Sequence, residues 1–144
     1  VQLAQFEQFY RVHMAAPFQL NRALAPQLTG NPNASIIHIT DIYIHAPAPQ
    51  FAAYVATKAG AHSLAMSFAR ELAPAVRVNT IEPGPILFLD EHGDAWRQQV
   101  LARTPLAREG GLEPIWQAVT LLMANDYMTG ASIRVDGGRA LAVI

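Results

Sequence analysis

The chain has 144 residues, of which 51% are hydrophobic and 15% are charged, and its formal net charge is −1. This composition is typical of one globular domain with a substantial core, and the near-neutral charge disfavours binding to nucleic acid or to anionic membranes. The sequence has no cysteine, which excludes disulfides, thiol nucleophiles and thiolate metal sites. No apolar run is long enough to cross a bilayer and no signal peptide is evident, so we expect a cytoplasmic protein.

The first two predicted elements are a helix and a strand. Apolar residues recur at helical spacing over residues 6–28, and Pro17 is the expected point of irregularity. Residues 34–40 form a β-branched run, which predicts a buried strand. Asp41 follows directly where this strand ends.

The strongest helical pattern covers residues 51–73, and Pro74 ends it. A second strand is predicted over residues 76–81, and a turn rich in proline and glycine follows at residues 82–85.

The last third of the chain begins with a polar loop at residues 90–94. Helices are predicted over residues 95–103 and 113–125, and a final strand over residues 132–135. Strands separated by long helices favour parallel βαβ units. A sheet of three strands leaves two bare edges and the sequence begins in a helix, so we expect residues 1–144 to be the C-terminal portion of a single larger domain.

Tyr54 and Lys58 are the first candidate catalytic residues. Lys58 is the only lysine among the ten lysine and arginine residues, and a spacing of four places it on the same helical face as Tyr54. A nearby ammonium favours the phenolate, so we predict a lowered pKa for Tyr54 and a role in general acid–base catalysis. A chance spacing of the two residues is the alternative.

The pattern around this pair resembles the short-chain dehydrogenase/reductase family. It consists of a strand, an alanine-rich helix and a second strand, and its marker residues are Thr40-Asp41, Tyr54, Lys58, Asn79, Pro83-Gly84, Thr129-Gly130 and 135–138. The resemblance implies a Rossmann-like α/β fold with three layers, α/β/α, around a parallel sheet. It also implies an oxidoreductase that uses NADPH, with Tyr54 as the acid–base residue and Lys58 bound to the nicotinamide ribose. Further cofactor contacts implied by the resemblance are Thr40, Pro83, Gly84 and Ile86.

Asp41 stands thirteen residues before the tyrosine, where this family usually has a serine. A carboxylate only accepts hydrogen bonds and opposes the negative charge that grows on a ketone oxygen during reduction. It stabilises instead the positive character of a C=N group that is being protonated. We therefore expect Asp41 to select a substrate whose reacting group is C=N.

Residues 36–41, 67–70 and 86–88 are similar to the pteridine reductase branch of the family, and especially to bacterial dihydromonapterin reductases. This resemblance implies reduction of a 7,8-dihydropterin to the tetrahydropterin, with the hydride delivered to C6 and the proton to N5. It assigns proton handling and substrate binding to Asp41 and Tyr54. Phe88 is a candidate for stacking on the flat substrate ring.

Other interpretations stay open. Asp41 also suits a turn residue that bonds its own backbone, in a reductase of another carbonyl or imine substrate. A protein that binds the nicotinamide cofactor without turnover is a further alternative, because the usual serine is replaced, His13 takes the place of a usual asparagine, and the sequence has no glycine-rich phosphate-binding turn. His13 suits either a water relay or a structural role.

The remaining polar residues receive no catalytic assignment. Residues 90–94 carry carboxylates and an imidazole, but their spacing favours a solvated loop bordering the substrate, and no metal is predicted. His38 and His62 are predicted to be packing residues with hydrogen-bonded nitrogens. Small residues on the helices over 6–28 and 51–73 suit helix packing between subunits, and the family resemblance implies a homo-oligomer, either a tetramer or a dimer.

Overall fold

The structure of the chain, a computed structural model, describes residues 2–142. The helices are α1 (Leu3–Tyr10), a π-helical turn (Arg11–Ala15), α2 (Ala16–Leu28), α3 (Ala52–Leu72), α4 (Asp94–Ala102) and α5 (Glu113–Ala124). The strands are β1 (Ser35–Ile39), β2 (Arg77–Pro83) and β3 (Ser132–Val135), and short 3-10 turns cover Ile42–Ile44, Pro49–Phe51 and Arg139–Ala142. The strands and helices agree closely with those predicted from the sequence.

The three strands form one parallel sheet in the order β1-β2-β3. Helix α3 covers one face, where Val78 of β2 packs against a cluster that includes Ala65 and Phe68. Helix α5 covers the other face, where Ile81 packs against Ala118 and Leu122. Because successive residues of a strand point to opposite faces, β2 is buried on both sides, and the predicted three-layer Rossmann-like arrangement is confirmed.

The irregularity predicted near Pro17 is present as the π-helical turn between α1 and α2. Proline has no N–H and its ring crowds the carbonyl four residues earlier, so an α-helix cannot continue unchanged through it. Pro17 is the second residue of α2, just after the π-helical turn and inside a helix that continues from α1 without a break. The widened turn therefore ends just before Pro17, and it contains His13.

The carboxyl ends of β1 and β2 lie side by side at one edge of the sheet. The backbone N–H and the hydroxyl of Thr40 both donate to the carbonyl of Ile81, at 2.9 and 3.1 Å. These bonds hold the chain beside β2 after β1 ends. Asp41 and Pro83 are thus brought to the same edge, which is where parallel α/β sheets bind their ligands.

The turn after β3 packs against the same edge. The N–H of Gly84 donates to the carbonyl of Val135 at 2.9 Å. A Cβ atom on Gly84 would lie 2.6 Å from the Cβ of Asp136, so only glycine permits this close approach. The residues that follow Asp136 are therefore held beside Gly84.

None of the helices described within residues 2–142 is both long enough and apolar enough to cross a membrane.

Candidate active site

A cavity of about 650 Å³ opens at the carboxyl edge of the sheet. Its walls come from α1, the turn after β1, the start of α3 with the turn before it, the loop after β2, α4 and the turn after β3. Predicted site residues on these walls are Asp41, Tyr54, Pro83, Gly84 and Phe88. The fold therefore gathers residues from six separate segments around one space.

Tyr54 and Asp41 form a direct hydrogen bond across thirteen residues of sequence. The phenol of Tyr54 donates to Oδ2 of Asp41 at 3.0 Å, while Oδ1 of Asp41 accepts from the backbone N–H of Tyr43 at 2.8 Å. The turn-residue interpretation of Asp41 is therefore confirmed for Oδ1, while Oδ2 contacts Tyr54 on the cavity wall and the catalytic role of Asp41 stays a prediction. The backbone bond fixes the carboxylate so that its other oxygen faces the tyrosine.

The pKa values of both residues lie above their ordinary values. Burial raises the pKa of Asp41, and the nearby charge of Glu82 adds to the rise, although the bonds from Tyr43 and Tyr54 and the charge of Lys58 oppose it. The pKa of Tyr54 is raised well above its ordinary value, first by burial and then by the charge and hydrogen bond of Asp41. The prediction that Lys58 lowers the pKa of Tyr54 is wrong, because donation to a carboxylate favours the protonated phenol.

Lys58 lies beside this pair. Its ammonium donates to the carbonyl of Ile39 at 3.2 Å and lies 5.8 Å from the centre of the Tyr54 ring. Burial lowers the pKa of Lys58, and the charge of Asp41 opposes that effect. An ammonium has three donors, and one of them is used by Ile39.

Three predicted cofactor residues, Thr40, Lys58 and Ile86, do not line this cavity. Thr40 is 2% exposed, and its hydroxyl is bonded to Ile81, so it fastens the strands together. Ile86 lines a second cavity of about 510 Å³, together with Arg108 and Arg134. Pro83 and Gly84 are the residues of that loop which face the Tyr54 side.

Phe88 lies on an aromatic wall of the main cavity. Its ring meets Trp96 edge-on, with centroids 5.4 Å apart at 76°, and meets His92 at 6.1 Å and 82°. The loop over residues 90–94 therefore borders the cavity through His92. Within residues 2–142, no group of three or more metal-ligating side chains is arranged to hold an ion.

His13 lies next to Tyr54 and is linked to it through Thr57 and through ring contact. The hydroxyl of Thr57 donates to the carbonyl of Tyr54 at 2.8 Å. A hydroxyl has one hydrogen, so Nδ1 of His13, 2.8 Å from the Thr57 oxygen, is the donor in that contact. The imidazole also stacks on Phe9 and meets the Tyr54 ring edge-on at 5.3 Å. Burial and the charge of Lys58 lower the pKa of His13, which favours the neutral ring in this supporting position.

Sequence reasoning missed Glu82, which is 2% exposed. Its carboxylate accepts from Nε2 of His45 at 3.0 and 3.1 Å, and Nε of Arg134 lies 3.6 Å away. His45 ends the short helical turn that begins at Asp41, so Glu82 anchors the far end of that turn. A glutamate inside an otherwise buried strand pattern is the signal that identifies such a residue.

The two packing histidines differ. Nε2 of His38 accepts from the amide of Asn21 at 2.8 Å, which confirms the predicted hydrogen-bonded packing role. Nδ1 of His62 is buried and has no hydrogen-bond partner among the described residues. The prediction of a satisfied nitrogen is wrong for that atom, because the sequence does not show which polar groups surround a helix face.

A Rossmann-like sheet with a tyrosine and a lysine one helical turn apart at its carboxyl edge places the chain in the class of α/β domains that bind ligands at the carboxyl ends of parallel strands. A family model described as enoyl-(acyl carrier protein) reductase matches residues 1–140. The chain belongs to this family, and with it to the short-chain dehydrogenases/reductases.

Named reductases are among the individual relatives of the chain. The chain is 40% identical over 133 residues to a dihydromonapterin reductase of Klebsiella pneumoniae, covering 91% of this chain and 55% of that protein. It is 40% identical over 134 residues to a dihydromonapterin reductase of Escherichia coli, with the same coverage. A crystal structure of FolM alternative dihydrofolate reductase 1 from Brucella canis, complexed with NADP, superposes with a TM-score of 0.90 at 27% identity, covering 98% of this chain and 56% of that one. The chain therefore spans about half the length of the relatives it matches.

Proposed function

We propose that the protein containing this chain reduces a 7,8-dihydropterin to the tetrahydropterin with NADPH. The reaction adds a hydride to C6 and a proton to N5 of the C=N bond, so one hydride and one proton enter the substrate. The observation that carries this proposal is the 3.0 Å hydrogen bond from Tyr54 to Asp41 on the wall of the main cavity.

The relatives support the proposal at the level of substrate class. Two of them are named dihydromonapterin reductases, and the protein from Brucella canis is named an alternative dihydrofolate reductase. Dihydrofolate contains a dihydropterin ring, so all three names describe reductases of one heterocycle. We further propose that residues 1–144 are the C-terminal portion of the reductase domain, in keeping with their coverage of about half of each relative.

The residues present fit the nicotinamide end of the cofactor. Lys58 keeps ammonium donors beyond the one given to Ile39, and these suit the hydroxyls of a ribose. Pro83 and Gly84 offer backbone at the cavity wall, without a bulky side chain at Gly84, against which a flat ring can lie. When bound, NADPH supplies the hydride.

The chain's own acid–base groups handle the proton. The raised pKa keeps Tyr54 protonated, with its one hydrogen directed at Asp41. In the proposed reaction the phenol redirects this hydrogen to the substrate nitrogen when the substrate binds. The carboxyl of Asp41, whose pKa is also raised, takes up a proton more readily than an exposed aspartate does. The carboxylate also stabilises the positive charge that develops on the nitrogen, whereas it would oppose the oxyanion of a reduced ketone.

The cavity walls suit a flat heterocycle. Phe51, Phe88 and Trp96 line the space, and aromatic rings present apolar faces on which a pterin ring can stack. Asp41 provides the acceptor that ring N–H and amino groups need. Polar recognition at one edge and stacking on the faces together favour a heterocycle over an aliphatic ketone.

The test uses the full-length protein, NADPH and a panel of dihydromonapterin, dihydrobiopterin, dihydrofolate and simple ketones, followed by the loss of NADPH fluorescence. We expect turnover of the dihydropterins. The Tyr54→Phe variant should lose far more in kcat than in KM, because it removes a group used in the transition state. Turnover restricted to ketones refutes the proposal, and cofactor binding without any turnover supports a non-catalytic protein.

Asp41→Ser provides the test of selectivity. Serine restores a donor at this position, so we expect weaker dihydropterin turnover and ketone turnover equal to or above that of the wild type. An unchanged substrate profile contradicts the role proposed for Asp41.

We also propose a homo-oligomer, a dimer or tetramer. Part of the small-residue surface of α3 is used within the chain, since Gly60 packs against Met14. Ala56, Ser63 and Ser67 remain exposed on α3, and such small side chains permit close helix packing between subunits. Light scattering on the full-length protein tests this proposal, and a monomer at assay concentration contradicts it.

A further inference from the structure

We propose that the guanidinium of Arg139 binds a negatively polarised oxygen of the substrate, a ring carbonyl or a carboxylate, on the wall of the main cavity. This inference rests on the proposed pterin reduction and adds a recognition residue to that site. It concerns the edge of the substrate that accepts hydrogen bonds, whereas Asp41 serves the edge that donates them.

Arg139 is a buried cation, and no side chain of residues 2–142 forms an ion pair with it. It is 7% exposed and lines the main cavity. Among residues 2–142, no carboxylate lies within salt-bridge distance of its guanidinium. A buried charge without a partner is costly, so the position favours a ligand that supplies one.

The hydrogen bonds that Arg139 does make are few and long. Nη1 donates to the carbonyl of Val100 at 3.3 Å, and Nη2 donates to the phenol oxygen of Tyr43 at 3.4 Å. Nε is buried and has no partner in the described part of the chain. A guanidinium carries five N–H donors in a planar fork that matches a carboxylate or a carbonyl, so donors are left for a ligand.

Arg139 is held firmly in this place by the turn after β3. Its backbone N–H donates to the carbonyl of Asp136 at 3.0 Å, and the carboxylate of Asp136 accepts from the N–H groups of Gly138 and Ala140 at 2.9 and 2.7 Å. Gly137 and Gly138 take positive φ values of 62° and 83°, which glycine adopts without strain. The backbone of Arg139 is therefore fixed beside the cavity before any ligand arrives.

Tyr43 connects Arg139 to Asp41. Its backbone N–H donates to Asp41, and its phenol oxygen accepts from Arg139. An acceptor and a strong donor therefore stand at the two ends of one residue, on the same cavity. A pterin ring carries amino and imino donors together with a carbonyl acceptor, so it can satisfy both.

The test compares Arg139→Gln and Arg139→Lys with the wild type in the full-length protein. KM is measured for dihydromonapterin, which is uncharged, and for dihydrofolate, whose tail carries carboxylates. Equilibrium Kd values for pterin and folic acid are measured by quenching of tryptophan fluorescence, since Trp96 lines the cavity. Arg22→Gln, at an exposed arginine paired with Glu71, is the matched control.

We expect Arg139→Gln to raise KM and Kd about 10- to 100-fold, the range of a lost hydrogen bond to a charged group, with a smaller change in kcat. Arg139→Lys should give KM and Kd values between those of the wild type and Arg139→Gln, because lysine keeps the charge and loses the planar fork of donors. A raised KM for both dihydromonapterin and dihydrofolate supports a ring oxygen as the ligand of Arg139. An effect confined to dihydrofolate and folic acid supports a tail carboxylate.

Unchanged KM and Kd in a folded Arg139→Gln protein overturn the inference, even when its melting temperature falls, because the arginine is then only structural. If Arg139→Gln does not fold, Arg139→Lys decides the question by the same comparison. A wild-type protein that turns over no dihydropterin refutes the proposed function. In that case the Kd values test the role of Arg139 separately. Equal Kd values for the wild type and Arg139→Gln, or no binding to the wild type, overturn that role.

Discussion

Replacing Asp41 by asparagine keeps the size of the side chain and removes its charge. Asparagine has one side-chain oxygen for the two donors that bond Asp41, the phenol of Tyr54 at 3.0 Å and the backbone N–H of Tyr43 at 2.8 Å. The bond from Tyr54 therefore goes to a neutral acceptor or is lost. The negative charge of Asp41 is one of the causes that raise the pKa of Tyr54, and asparagine lacks it. We therefore expect the phenol of Tyr54 to ionise at lower pH in the Asp41→Asn variant.

The magnitude follows from the bond that changes. A hydrogen bond to a charged acceptor contributes about 1.5–3 kcal/mol and is roughly twice as strong as a neutral one. Exchange of the acceptor therefore removes about 1 kcal/mol of preference for the protonated phenol, and relief of the repulsion between phenolate and carboxylate adds in the same direction. Since 1.36 kcal/mol corresponds to one pH unit, the midpoint should fall by about one pH unit or more.

The assay is a pH titration of the full-length protein by NMR, with carbon-13 at the ring carbon that bears the phenol oxygen. A Tyr54→Phe sample identifies the Tyr54 signal by its absence. Asp126→Asn, at an exposed carboxylate after α5, is the matched control and should leave that signal unchanged. If Tyr54 titrates at the same pH in Asp41→Asn as in the wild type, the electrostatic coupling argued here is refuted.

Two further predictions concern stability. Gly84→Ala places a Cβ atom 2.6 Å from that of Asp136, so it should lower the free energy of unfolding, measured in urea, by about 1–3 kcal/mol. Gly93→Ala, whose Cβ would have no atom within 4 Å, is the control and should change this free energy little. Equal effects of the two substitutions would contradict the packing argument. Burial lowers the pKa of His13 and of His38 below 6.5. As the pH falls below 6.5, the unfolded state therefore binds protons before the folded state does. The free energy of unfolding should then decrease, with a slope of up to about 1.4 kcal/mol per pH unit from His38 and a smaller one from the more exposed His13. A free energy that does not change with pH would show that both rings protonate as easily in the folded state as in the unfolded state.

Much of this fold could be predicted because its signals are local. Strand β3 (Ser132–Val135) was predicted at its observed limits, and α3 (Ala52–Leu72) within one residue at each end. Hydrophobic periodicity and the proline and glycine punctuation act over a few neighbouring residues, so the sequence shows them directly. The parallel order of the strands follows from the long helices between them.

The candidate site could be predicted in part. Tyr54 and Asp41 were expected to act together, and they are hydrogen-bonded. Thr40, Lys58 and Ile86, whose cofactor roles were carried over from the family resemblance, do not line the main cavity. The family pattern identifies positions along the chain, and the orientation of each side chain depends on packing around it.

The sequence by itself determined the helices and strands, the parallel sheet and the shared helical face of Tyr54 and Lys58, because each depends on spacing within one segment. Tertiary structure alone decided the upward shift of the Tyr54 pKa, the anchoring of the Asp41 turn by Glu82 and the presence of Arg139 in the cavity. Arg139 and Tyr43 are 96 residues apart in sequence. Such contacts form between side chains that only the packed sheet brings together, and the burial that shifts a pKa exists only once the chain has folded.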